Sequence, residues 1–214
     1  VEKFREKWGS ELAGRYRFPG AESPSVTSDV PATVSLCMIV KNEEANLADC
    51  LRGMNELVNE IVVVDTGSTD RTKAIAEEHG ARVIDFPWVD SFAAARNVAI
   101  ENATSDYIFW LDADDRVDAT NRSQIRELFA TLRTGELYGT SMQCLCLPDP
   151  VTGITTVVDH IRLFPRHPDI RWKYRIHEQI LPSLRRLGGG VRFADIHIHH
   201  VGYQDPALRH RKLQ

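Results

Sequence analysis

The chain has 214 residues, 43% hydrophobic and 26% charged, enough for one sizeable domain with a real core. A formal net charge of −4 leaves no dominant basic surface to meet phosphates, which argues against a nucleic-acid binder. No apolar run approaches the ~18 residues of a membrane span, and the charged opening VEKFREKWGSE does not read as a signal peptide. Cys37, Cys50, Cys144 and Cys146 lack the C-x-x-C spacing of a zinc knuckle or redox pair. Cys37 and Cys50 read as small core residues, and reduced thiols in a cytoplasmic setting are expected.

Residues 1–32 read as a helix, with Phe4, Trp8 and Leu12 spaced four apart, then a Pro-Gly break and a linker. The domain proper is expected over residues 33–214. VSLCMIV is the short continuous apolar run of a strand covered on both faces. Asn42 is placed to cap a helix carrying Leu47, Cys50, Leu51 and Met54. EIVVVD, ARVIDF and YIFWLD read as further strands. Between them lie a helix capped within GSTD and ended by Gly80, and an alanine-rich helix over SFAAARNVAIEN. Ile125, Leu128, Phe129 and Leu132 mark one more helix. This alternation predicts an α/β fold, a mostly parallel sheet flanked by helices. LYGTSMQCLCL and ITTVVDHIRLF then read as strands joined by a PDPVTG turn. IRWKYRIHEQI reads as a strand, PSLRRLG as a short helix and ADIHIHHVGY as a last strand. The second half is therefore mixed and more antiparallel.

Ligands of an open parallel sheet lie beyond the carboxyl ends of its strands. Asp65 and Asp112 both end strands and face that edge, and Asp114 lies where it shares an ion with Asp112. Carboxylates this close repel unless a cation is present, and hard oxygen donors suit Mg²⁺ or Mn²⁺. Taken alone, DADD also reads as a loop in which Asp114, Asp115 or Asp118 caps a helix. In IHIHH, alternation puts Ile196, Ile198 and His200 on one face and His197 and His199 on the other.

SLCMIVKNEEANLADCL, EIVVVDTGSTDRT, FAAARN and YIFWLDADD, in this order over roughly residues 34–118, resemble the successive motifs of family 2 glycosyltransferases with the GT-A fold. RLFPR, IHEQI and HHVGY resemble a bacterial branch of that family, in which the catalytic domain is often linked to other domains. FREKWGSEL is similar to a segment that closes such domains. Residues 1–32 thus read either as the tail of a preceding domain or as a helix packed on the sheet.

The resemblance implies an inverting, metal-dependent transfer from a nucleotide sugar, a UDP-sugar above all, to a hydroxyl of a saccharide, lipid-linked or protein acceptor. It implies that Glu43 and Asp65 hold the nucleoside and that Arg96 faces the nucleotide or its phosphates. Asp112 lies near ribose and metal, Asp114 is the principal metal ligand, and His200 completes the coordination of Mn²⁺ or Mg²⁺. Read without the resemblance, Glu43 is a first-turn charge favoured by the helix dipole and Arg96 a solvated helix residue. Inversion needs one general base on the acceptor side. Glu178, in the His-Glu pair, is the candidate; Asp159 is the runner-up, and His177 is placed to orient either. Arg162 is expected to support phosphate or packing.

Three rival readings differ in class. A nucleotidyltransferase would open with a glycine-rich loop, where VKNEEAN has no glycine. A binding module without activity sits poorly with an intact D-x-D. A histidine-rich metal-binding protein would bind metal without needing Asp114.

Overall fold

The continuous apolar runs become the central strands. β1 (Val34–Val40), β2 (Glu60–Asp65), β3 (Arg82–Asp85) and β4 (Tyr107–Trp110) are parallel, connected through α1 (Leu47–Leu51), α2 (Thr72–Glu78) and α3 (Phe92–Asn102). β5 (Asp115–Arg116), α4 (Ala119–Thr131), β6 (Tyr138–Cys146), β7 (Val157–Pro165), α5 (Leu181–Arg186) and β8 (Gly190–His200) follow. This computed structural model describes residues 31–146, 148, 153 and 155–202. The expected N-terminal helix and linker, apart from Pro31 and Ala32, and most of the PDPVTG turn lie outside the described residues.

One eight-stranded sheet runs β3-β2-β1-β4-β7-β6-β8-β5. β7 is antiparallel to β4 and to β6, and β8 runs parallel to β6, so the sheet is mixed beyond β4. Strand alternation divides the core. Leu36, Met38, Ile61, Val63 and Phe109 face α1, α2 and α4, while Val62, Val64, Ile108, Trp110 and Phe164 face α3 and α5. Each such fully buried side chain contributes ~1.5–3 kcal/mol by leaving water. The one hydroxyl in β1, Ser35, is fully buried and donates to Glu60 Oε1 at 2.6 Å, which removes the cost of an unpaired polar group. Alanines at 93, 95 and 99 bring α3 close to the sheet.

Several local expectations need correction. Asn42 caps no helix: it has a positive φ of 54°, and its Oδ1 accepts from Thr69 N while α1 begins only at Leu47. That turn suits asparagine, whose short amide tolerates the left-handed region. α1 stops at Leu51, and Met54, though buried, lies beyond it. IRWKYRIHEQI is not a strand. It forms a loop closed by a Lys173–Gln179 bridge, with Tyr174 and His177 at φ 73° and 55°. Of the three aspartates considered as caps only Asp118 serves, accepting from Asn121 N.

Candidate functional site

The first acid stands at the end of β2, where Asp65 pairs in register with Val40 of β1. Its Oδ1 accepts from the backbone N–H groups of Gly67 and Ser68 at 3.0 and 2.8 Å. Its Oδ2 is buried and has no hydrogen-bond partner among the described residues. A buried carboxylate oxygen left this way is costly unless a ligand donates to it. Glu43 lies on the same rim. Its N–H donates to Thr72 Oγ1 and its Oε2 accepts from Asn46 Nδ2. Since α1 starts at Leu47, Glu43 precedes the helix and is no first-turn charge.

Two strand positions from Asp65, across β1, β4 delivers DADD. Asp112 lies just past the strand end, half-buried, and its Oδ1 accepts from Arg96 Nη2 at 2.9 Å. Burial pushes its carboxyl up, but the Arg96 and Arg162 guanidiniums outweigh burial and hold it down at about 2. Asp114 and Asp115 are buried. β5 pairs with β8 so that Asp115 faces His200, which brings the end of the last described strand onto the acids. His200 Nδ1 lies 3.0 Å from Asp115 Oδ1 and 3.4 Å from Asp114 Oδ1. Burial works against charge on His200, yet the Asp115 hydrogen bond and the Asp114 carboxylate raise it above the ordinary imidazole range. Ligand atoms of Asp112, Asp114, Asp115 and His200 all lie within 4.8 Å of one another. Carboxylates with one imidazole are a donor set that fits a hard or borderline divalent ion such as Mg²⁺ or Mn²⁺.

Arg96 is 7% exposed and is no solvated helix residue. From the middle of α3 it reaches Asp112 with one nitrogen and Glu178 with another, Nε to Oε1 at 2.7 Å. Its guanidinium lies 4.2 Å from the Trp110 ring centre and 5.3 Å from that of Trp172. Cation–π contact with two indoles fixes the fork between the two carboxylates. Glu178 thus stands next to the DADD end of β4, whereas Asp159 is exposed on β7 and His177 is exposed in the loop. His197 and His199 stand 3.5 Å from Asp195 and Asp118, respectively, and do not join the cluster.

The sequence reading undervalued two positions and missed a third. Asp115, considered only as a cap, accepts from Asp112 N and from Arg162 Nη1, both at 2.8 Å. Arg162 is 1% exposed, packs on the Trp110 ring at 3.9 Å as the packing expectation had it, and also neutralises Asp115. A charge inside the apolar run HIRLF was the available signal, because a buried arginine must have an acid partner. Gly202 lies against Asp114: a Cβ there would sit 1.8 Å from Asp114 Oδ2 and 3.2 Å from His200 Nε2.

The parallel half-sheet with its antiparallel extension is an α/β fold of the GT-A type, as solved structures show. The chain superposes on glucosyl-3-phosphoglycerate synthase from Mycobacterium tuberculosis with TM-score 0.57 at 17% identity, covering 82% of this chain and 74% of that one. For S. aureus TarS the TM-score is 0.54 at 17% identity, over 79% of this chain and 37% of that one. The family model for glycosyl transferase family 2 matches residues 35–144, and the chain belongs to that family. It is 40% identical to a TPR repeat-containing protein of Synechococcus elongatus over 73% of this chain and 37% of that protein. It is 30% identical to the SPbeta prophage-derived glycosyltransferase SunS of Bacillus subtilis, over 82% and 41%. The chain therefore spans about two fifths of the length of these relatives. Among the described residues no helix is long and apolar enough to cross a membrane.

Proposed function

We propose that this domain transfers a sugar, with inversion at the anomeric carbon, from a UDP-sugar to an acceptor hydroxyl, assisted by Mn²⁺ or Mg²⁺. The observation that carries the reading is the convergence of Asp112, Asp114 and His200 on the rim that also holds Asp65 Oδ2, which has no hydrogen-bond partner among the described residues. A neighbour of the same fold, with TM-score 0.55 and 18% identity, is a glucosyl-3-phosphoglycerate synthase in complex with Mn²⁺, UDP and glucosyl-3-phosphoglycerate. That makes UDP the first nucleotide to test here.

In this reading Asp65 Oδ2 accepts a hydrogen bond from the base or ribose, and Glu43 supports the nucleoside from the next loop. Asp112 offers its outer oxygen, Asp114 a carboxylate and His200 an imidazole nitrogen to the ion. When bound, the ion supplies positive charge to the departing diphosphate, so no acid is needed at the leaving oxygen. Arg96, between Asp112 and Glu178, presents its guanidinium to the same charge. Glu178 Oε1 is held by Arg96, which leaves Oε2 to take the acceptor proton. The acceptor oxygen bonds to the anomeric carbon as the bond to the diphosphate oxygen breaks, and the proton passes to Glu178. This reading assigns the exposed Trp88, Phe92, Tyr174 and Ile176 to the acceptor side; the two segments that carry them are tied by Phe92 N donating to Arg175 O.

The test is a hydrolysis and transfer screen of nucleotide sugars with Mn²⁺, Mg²⁺ and chelator. Turnover of a UDP-sugar that chelator abolishes supports the reading. Metal-independent turnover, or none with any uridine donor, overturns it.

A further inference from the structure

The DADD segment carries one more acid than an ion requires, and its environment differs from the others. Asp115 is fully buried, and its side-chain oxygens are spoken for by the protein itself. Oδ2 accepts from Arg162 Nη1 and from Asp112 N, each at 2.8 Å, and Oδ1 meets His200 Nδ1 at 3.0 Å. Asp115 N in turn donates to Asp112 O. Arg162 is equally inaccessible, with its guanidinium 3.9 Å from the Trp110 ring centre. Trp110 is itself anchored by its indole N–H on Ile161 O at 2.7 Å. The opposite ring nitrogen, His200 Nε2, lies toward Gly202, on the side where Asp114 Oδ2 also points.

We infer that Asp115, anchored by Arg162, is a positioning residue for the metal centre: it holds the proton of His200 on Nδ1 and so commits Nε2 to the ion beside Asp114. A ligating histidine needs its other nitrogen pinned to fix tautomer and ring plane, and a carboxylate does this while raising the basicity of the ligating nitrogen. The same carboxylate fixes the Asp112 backbone, so one buried group sets the direction of two ligands from different strands. Arg162 neutralises Asp115, which keeps the excess charge of the cluster on the groups that face the ion. The absence of a side chain at Gly202 leaves room for Asp114 Oδ2 and His200 Nε2 on that side.

This rests on the metal-dependent reading above, and the experiment separates the two. Mn²⁺ uptake by the full chain, with UDP and without an acceptor, is followed by loss of the free Mn²⁺ EPR signal. Parent, Asp114→Ala, Asp115→Asn, Arg162→Lys and Arg162→Met are compared, with folding checked by circular dichroism. Asp115→Asn and Arg162→Met are expected to weaken uptake about 10- to 100-fold, the usual cost of losing such support, with Arg162→Lys in between. In long-range ¹H–¹⁵N spectra with Mg²⁺ and UDP, the parent His200 shows a protonated Nδ1, and Asp115→Asn shows a tautomer mixture.

Parent-like uptake and an unchanged His200 spectrum in a folded Asp115→Asn or Arg162→Met variant overturn the inference while leaving the metal site standing. Absence of uptake by the parent overturns the metal-dependent reading, and the inference with it. Should Asp115→Asn fail to fold, Arg162→Lys decides: parent-like uptake and tautomer overturn the inference, and a loss of both supports it.

Discussion

The two halves of the sheet place their functional groups by different means. In the parallel half, β1 to β4, Asp65 and Asp112 stand at or just past strand ends, and register alone puts them on one rim. In the mixed half, Glu178 comes from a loop with left-handed residues at Tyr174 and His177, and His200 reaches the acids only because β8 pairs with β5. The parallel half offers a surface whose geometry follows from local pattern, and the mixed half completes it through contacts distant in sequence. Arg96 bridges them, with one nitrogen on Asp112 and another on Glu178.

This contrast makes the halves separable by mutation. The largest effect is expected from Glu178→Gln, which removes the acceptor-side base but keeps the side chain's shape. Turnover should fall by about 10²- to 10⁴-fold while UDP binding by calorimetry stays within a few-fold. A loss of UDP binding of the same size would show that Glu178 acts through Arg96 on the donor side instead.

Gly202→Ala comes next, since its Cβ would overlap the Asp114 carboxylate. Overpacking at such a point costs about 1–3 kcal/mol or displaces the ligand. Transfer is expected to drop roughly 10- to 100-fold, which is about 1.4–2.7 kcal/mol of transition-state stabilisation. Mn²⁺ uptake should fall in parallel, and parent-like uptake would show that Asp114 yields without leaving the site.

Asp65→Ala tests the donor half. Loss of one charged hydrogen bond to the nucleoside raises donor KM by roughly tenfold or somewhat more, with a smaller change in kcat. Equal losses in both parameters would move Asp65 from nucleoside binding to the chemistry.

The smallest effect concerns the opposite rim and leaves catalysis unchanged. Burial pushes the Glu60 carboxyl up, but hydrogen bonds from Ser35, Thr104 and Ser105 outweigh this and hold it at about 2. A depressed carboxyl contributes stability that is present above its ordinary pKa of 4.5 and is lost as pH falls toward about 2. Because the group is partly solvent-screened, Glu60→Gln should cost about 1 kcal/mol near pH 7. Urea melts of parent and variant should converge between pH 4.5 and 2, with kcat and KM alike throughout. A constant offset over that range would assign the loss to packing.

Much of this was legible from the residues, and for identifiable reasons. VSLCMIV and EIVVVD match β1 and β2 residue for residue, because a strand buried on both faces needs an unbroken apolar run. Alternation in IHIHH was equally readable: Ile196 and Ile198 are buried, and His200 alone of the three histidines meets the acids. Asn42 and the Lys173–Gln179 loop were misread. Turn geometry with positive φ leaves no periodic trace, and the aromatic and aliphatic residues of WKYRI imitate a strand.

The sequence by itself determined the parallel half-sheet, its acidic rim and the family to which the chain belongs, since those rest on local periodicity and on motifs in fixed order. Only the tertiary structure decided that Arg96 is buried between Asp112 and Glu178, that Asp115 faces inward onto Arg162 and His200, and that Gly202 must have no side chain. Each of these is set by which strand lies beside which, a property of the whole sheet that no window of neighbouring residues contains.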